Sequence, residues 1–489
     1  MSPLPLALAL LAGCVRTPVA FPECDPDDRS RAPASSRTRV SPVGALVPFD
    51  VDVHDPAGPA STVYGKTPEV VAVADEDGID VLLQDLGPGG GAKLVRIERD
   101  YEDFVVTSIL ELDGLERIMG LARDEDGHRY VATGVAEPDT QFSTTPPEGE
   151  YRSNIVRIDK IAPDGEVLYT VDLDKARQAT STAPEQVINP MVAGTSRMVW
   201  GGGKVEILHA INTTFDGAIG QRHQKALATV LDAGTGAVTR AASIWVSHSF
   251  DQRLIYDGQG FVEMHLGDAY PRQIVMARVE PDSQPYPLLH VKGATGDNNT
   301  YSRLGAITGI PPWEDADFGY LAVFSTESTV EIDGGGPKNL ALVRVRRDFE
   351  TRDPATGDHL DPALPDTLEA AIDGTPYTSR LKWLTTNPKE SGLQVERSRI
   401  VSLACDRYAV LWEEWTLEQG FLGTFGLVVD SGGDVLVPRA KVTDFHLPRG
   451  DDAFALDNTA AWISANGETG ALYVNRVYAD LSFTRDVIE

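Results

Sequence analysis

The sequence predicts an all-β chain made of one small antiparallel sheet repeated many times. Three observations predict it. Helical signals are scarce across the 489 residues. Short apolar runs alternate with Asp-Gly, Gly-Gly and Pro turns, the pattern of hairpins. One strand type then recurs along the chain. It is apolar around a central arginine in Leu94-Val95-Arg96-Ile97, Ile155-Val156-Arg157-Ile158 and Leu342-Val343-Arg344-Val345. Met276-Ala277-Arg278-Val279 and Val474-Asn475-Arg476-Val477 fit with one substitution, and Leu227-Ala228-Thr229-Val230 and Leu427-Val428-Val429 complete the series without the arginine. Spread from residue 94 to 477, these strands imply a repeat of roughly 60 residues. Each repeat would be a sheet unable to bury both faces alone. Arranged radially, neighbours cover each other and no long edge stays open. The expected architecture is a β-propeller of six to eight blades, seven preferred, with two β-sandwich-like domains as the alternative.

Taken in order, the chain divides into residues 1–13, 14–45 and 46–489. The first segment carries a short apolar run, Leu4 to Leu10, leading into Leu11-Ala12-Gly13-Cys14. The run is too short to span a bilayer, which takes about 20 apolar residues, and suits the core of a signal peptide. The tetrapeptide resembles the lipobox of bacterial lipoproteins. That resemblance implies cleavage before Cys14, a palmitate-bearing lipid on its thiol, and a place in the cell envelope. Val15 stands where such lipoproteins carry Asp for inner-membrane retention, so the resemblance points to the outer membrane. Residues 14–45 read as a tether. Pro18, Pro22, Pro26, Pro33 and Pro42 are mixed with Ser, Arg and Asp, a composition that cannot bury enough surface to offset ordering entropy.

Residues 46–489 form the repeated body. Hairpin turns precede hydrophobic strands at Asp75-Glu76-Asp77-Gly78, Asp124-Glu125-Asp126-Gly127 and Asp257-Gly258-Gln259-Gly260, and Ala162-Pro163-Asp164-Gly165 leads into a further strand. The stretch from Gly120 to Ala132 resembles the blades of secreted bacterial β-propellers, which implies the same radial architecture. An insertion near 351–380 contains one short helical signal, Pro365 to Ile372 before Gly374.

Composition excludes some functions. With 43 basic against 73 acidic residues the formal charge is −30, a surface that repels phosphate backbones, so nucleic acid is not an expected partner. No GxSxG, HExxH or CxxC occurs, which removes the familiar hydrolase, metalloprotease and dithiol signatures. Of three cysteines, Cys14 is the lipidation candidate. Cys24 and Cys405 are then free to pair in an oxidising compartment.

The densest polar segment is Ser247 to Arg253 followed by His265 to Arg272. Both halves contain His-x-x-Asp with an arginine close behind, and the Asp257-Gly258 turn lies between them. A hairpin there would bring the halves side by side. His248, Asp251, His265 and Asp268 are the candidate acid–base or metal-holding residues, and Arg253, Tyr270 and Arg272 the candidate ligand-binding ones. The other reading is a structural network of Arg–Asp pairs and buried histidines plugging a propeller axis. The acidic turns at 75–78 and 124–127 could take calcium, though Asp-Gly is also a favoured hairpin turn, and no cofactor is implied firmly. Trp200, Trp245, Trp412 and Trp415 are expected to fill blade interfaces rather than line a sugar platform. The expected function is a lipid-anchored binding or scaffold module for an envelope protein or glycan partner. The alternative is an extracellular hydrolase or lyase acting on polysaccharide through the His/Asp set.

Overall fold

The computed structural model describes residues 70–85, 91–100, 103–112, 117–134, 156–173, 188–190, 196–214, 222–247, 251–267, 272–279, 285–291, 302–327, 337–352, 354–355, 381–416, 418–448, 450–466 and 471–488. The signal peptide, the tether, Cys14, Cys24, His248, Asp268, Tyr270 and the helical signal at 365–372 lie outside them, as does the side chain of Arg272.

Seven antiparallel sheets follow one another along the chain. They span residues 70–112, 117–172, 188–247, 252–291, 302–383, 394–443 and 454–488, and are called blades 1 to 7 in that order. The first strands of the blades are Val70–Ala74, Arg117–Arg123, Ser196–Gly201, Gln252–Tyr256, Ser302–Gly309, Gln394–Leu403 and Phe454–Leu456. Each touches the first strand of the next blade, and the last touches the first, so the seven form a closed ring around a central axis. That ring makes the molecule a seven-bladed β-propeller. The seven recurring strands seen in the sequence are the third strands of the seven blades, without exception.

Burial explains why the middle strands read as continuous apolar runs. A blade is covered on both faces, so both sets of alternating side chains face a neighbour. In Phe318–Glu327 every residue from Tyr320 to Phe324 is buried. Seven hydrophobic clusters result, one at each blade interface. Trp412 and Trp415 are buried, and Trp200 packs partly buried against the cluster between blades 2 and 3. Outer strands face water, as the exposed pattern of Val435–Thr443 records.

Closure uses side chains. Among the described residues every blade is made of strands consecutive in sequence, so none is lent across the seam between blades 7 and 1. The seam is held by a shared apolar cluster running from Ile79 and Val81 to Ile463 and Val474. The Ala72 amide also donates to Asp451 Oδ2 at 3.0 Å.

The two ends of the axis differ. One end collects short turns between first and second strands, such as 75–77, 202–203 and 404–406. Here a carboxylate caps the turns of blades 1, 2, 4 and 5. Asp75 Oδ1 accepts from the amides of Asp77 and Gly78 at 2.8 Å, and Asp257 Oδ1 from those of Gln259 and Gly260 at 2.9 Å. Gly258 takes φ +90° in that turn, a conformation L side chains rarely adopt. The other end receives longer connections, among them 135–155, 173–195 and 328–337. We call these ends the turn face and the mouth.

Candidate functional site

Four inner strands deliver an arginine to the mouth in the same way. Ser196-Arg197-Met198, Gln252-Arg253-Leu254, Ser302-Arg303-Leu304 and Ser398-Arg399-Ile400 each place a polar residue, an arginine and an apolar residue near the strand start. The apolar residue turns into a blade interface while the arginine stays at the ring. In each case the guanidinium Nη1 donates to the carbonyl of the residue before it.

Three of the four converge on one carboxylate. The connection between blades 6 and 7 brings Asp452 to the axis, where Arg197 Nε lies 2.7 Å from Oδ2 and Arg253 Nε and Arg399 Nε lie 3.1 and 3.5 Å from Oδ1. Arg253 also meets Asp251 at 2.5 Å. Arg399 donates to the carbonyls of Pro448 and Asp451. Arg303, from blade 5, pairs instead with Glu396 at 3.2 Å. Side chains from blades 3, 4 and 6 are thus tied to a segment entering blade 7, and Asp451 beside it reaches blade 1.

Exposure separates the members. Arg197, Arg253 and Arg399 are 7, 4 and 2 % exposed, whereas Asp452 keeps 27 %. Against the cost of burial, the guanidiniums of Arg197, Arg253 and Arg399 hold the Asp452 carboxyl far below the usual range. Asp451 goes the other way: burial pushes it up to about 6, opposed by Arg197 and helped by the charge of Asp452. Burial draws Arg399 down to about 10, against the pull of Asp452 and with the repulsion of Arg253 and Arg197. The mouth therefore presents a carboxylate whose charged form is favoured by three guanidiniums around it.

The hairpin expected at Asp257-Gly258 forms, pairing Gln252 with His265 and Arg253 with Met264. Cross-strand partners share a face and neighbours alternate, so Arg253 and His265 leave blade 4 on opposite sides. Arg253 goes to the mouth. His265 is fully buried, with Nε2 2.7 Å from Glu263 Oε2. Asp251 is engaged by Arg253. His248, Asp268, Tyr270 and the Arg272 side chain fall outside the described residues. Sequence reasoning missed Arg197, Arg303, Arg399, Asp451 and Asp452. The repeated polar-Arg-apolar start of the inner strands was the available signal.

The acidic turns have occupants of their own. The third-strand arginines Arg96, Arg278 and Arg344 pair with the turn-capping Asp75, Asp257 and Asp315. Asp124, Asp126 and His128 lie close enough to share a cation. Yet the Asp124 carboxylate already accepts from the His128 amide and the Tyr130 hydroxyl and touches the His128 ring. Cys405 sits in the blade 6 turn between Gln394–Leu403 and Arg407–Thr416, on the turn face, and is disulfide-bonded.

No protein-family model matches the chain, and no curated protein matches it in sequence. Solved structures resemble it in architecture. A periplasmic gluconolactonase from Pseudomonas aeruginosa is 12 % identical with a TM-score of 0.40, over 86 % of this chain and 93 % of that one. The β-propeller domain of the trilobed protease from Pyrococcus furiosus, described as having an open velcro topology, is 9 % identical with a TM-score of 0.39, over 85 % and 97 %. A Trypanosoma rangeli sialidase is 8 % identical with a TM-score of 0.38, and the match covers 75 % of this chain and 55 % of the sialidase. These likenesses concern the fold and say nothing of chemistry.

Proposed function

We propose that the protein is a lipid-anchored propeller of the bacterial cell envelope, attached to the outer membrane through Cys14, that binds a glycan or glycoprotein partner at its mouth. One observation carries the reading: arginines from three blades fix Asp452 at the end of the axis where the long connections leave, with 27 % of its side chain open to solvent. A carboxylate that stays ionised and cannot rotate is a suitable acceptor for adjacent sugar hydroxyls, because its orientation cost is met by the protein beforehand. Loops around a rigid scaffold are also where binding residues concentrate.

The anchor fits this geometry. With the Cys14 thiol lipidated, the disulfide partner of Cys405 is Cys24. The tether then joins the body at the turn face, and the mouth points away from the membrane. A hydrolase built on Asp251 and His265 draws less support, since Asp251 is committed to Arg253 and His265 to Glu263.

The test uses the full chain expressed in bacteria. Wild type should fractionate with the outer membrane and retain a soluble envelope polysaccharide extract. Cys14→Ser should move to the soluble fraction yet still bind, while Asp452→Asn should stay membrane-bound and lose retention. Membrane association unchanged in Cys14→Ser would overturn the anchor, and retention unchanged in Asp452→Asn would overturn the site.

A further inference from the structure

We propose that the cleft between the turns of blades 3 and 4 is a second binding site, taking a small oxyanion-bearing molecule. It lies on the turn face, at the opposite end of the axis from Asp452. The cleft encloses about 270 Å³ and is lined by Gly201, Lys204 and Arg240 of blade 3 and by Tyr256 and Phe261 of blade 4, among others. Its volume falls just below the range typical of drug-sized ligands, which suits a sugar acid or a phosphate ester.

The sequence builds the cleft through Gly201-Gly202-Gly203. A Cβ at Gly201 would stand 2.1 Å from Tyr256 Cγ, and one at Gly202 2.6 Å from its hydroxyl oxygen. Only glycine lets the tyrosine ring lie against this turn, where it forms one wall beside Phe261 with ring centroids 5.3 Å apart.

The charge of the lining is what points to a ligand. On a chain of formal charge −30, this cleft contains Lys204 and Arg240 and no carboxylate. Glu206 shares the same face of the sheet, opposite Val230, but is fully buried and does not line the cleft. Elsewhere arginine is matched at short range: Arg96 with Asp75, Arg157 with Asp172, Arg278 with Asp257 and Arg476 with Asp486. Arg240 has no such carboxylate partner among the described residues. It stands cross-strand from Val230, and its Nη1 is shut off from solvent with no hydrogen-bond partner among the described residues. Nη1 itself is out of a ligand's reach, but Arg240 lines the cleft with its other atoms, and an oxyanion held beside it and the exposed Lys204 would meet a positive charge that the lining leaves unmatched.

The experiment is calorimetric titration of the full-length protein with two probes, inorganic phosphate and glucuronate. At least one should bind with a stoichiometry of one per chain. Arg240→Gln should weaken it about tenfold, as expected for loss of a charge-assisted contact. Lys204→Gln should weaken it several-fold; Lys204 is exposed at the first position of its strand, so this variant reports binding even if Arg240→Gln folds poorly. Binding of glucuronate alone assigns a carboxylate ligand, and binding of phosphate alone a phosphate ester. The proposal is overturned if neither probe binds below about 10 mM, a level weaker than useful recognition, or if folded Lys204→Gln and Arg240→Gln both bind like wild type.

Discussion

Asp80 and Asp452 each meet three arginines, yet only one of them reaches solvent. Asp80 is fully buried, and its guanidinium partners Arg96, Arg123 and Arg129 lie at 3.4, 2.5 and 3.2 Å. All four residues belong to blades 1 and 2, and Asp75 shares Arg96 and Arg123 at 2.9 and 2.6 Å. The Asp452 set draws instead on blades 3, 4 and 6 and keeps an open edge. The same chemistry thus serves two ends. Between adjacent blades it replaces water at a dry joint close to the turn face. Across the axis it holds a polar group at a defined point in the mouth. Arginine suits both because its planar fork can serve a carboxylate and backbone carbonyls together.

Removing each carboxylate should separate the two. Asp80→Ala takes the shared carboxylate from three guanidiniums in a dry interface, leaving Arg96 and Arg123 with Asp75 and Arg129 with the carbonyls of Ala162 and Pro163. Breaking a buried ion pair by deleting one partner costs about 3–5 kcal/mol, read as a lowered urea midpoint. A shift equivalent to less than about 1 kcal/mol, the range of an exposed pair, would show that this joint is not an energetic clamp. Asp452→Ala should cost less, about 2 kcal/mol, because its site reaches solvent while Arg197, Arg253 and Arg399 keep the carbonyls of Gly450, Gly305 and Pro448. Added formate should restore much of that loss by occupying the vacated carboxylate position, and should do nothing for Asp80→Ala. Equal rescue of both, or of neither, would mean that solvent access does not distinguish the sites.

The contrast also marks how far the sequence could be read. Third strands were legible because their signal is local: a run of three or four mostly apolar residues, often with an arginine among them, beside a turn. The role of that arginine was not legible, and the structure shows Arg96, Arg278 and Arg344 paired with the aspartates that cap their own blades' turns. The turn at 75–78 therefore looked like a cation loop while carrying an internal cation in Arg96. The mouth was harder still. Arg197, Arg253, Arg399 and Asp452 are separated by about one blade or more of sequence, and only closure of the ring brings them together. Asp451-Asp452 reads as two more acids in an acidic chain until the axis is in place. Of the His/Asp hairpin, the pairing of strands followed from the Asp257-Gly258 turn. Strand alternation then placed Arg253 and His265 on opposite faces.

The smallest effect expected is on pH dependence, and it has opposite signs at the two sites. Against its own burial, hydrogen bonding to Arg96 and the Asp77 amide and the charges of Arg96 and Arg123 lower the Asp75 pKa. Its share of stability is therefore present above the unfolded value of about 3.9 and is lost as the pH falls through the folded one. Asp451, raised to about 6, behaves in reverse. The folded protein holds this proton where the unfolded chain has released it, so its contribution is full below about pH 4 and declines until about pH 6. Asp451→Asn keeps an oxygen for the Ala72 amide and removes the ionisation. The variant should match wild type near pH 4 and be more stable above pH 6, by about 1 kcal/mol once partial solvent access is discounted. Urea midpoints of both proteins between pH 3.5 and 8 would show it. Curves that stay parallel across that range would place Asp451 in water, and with it the mouth end of the seam between blades 7 and 1.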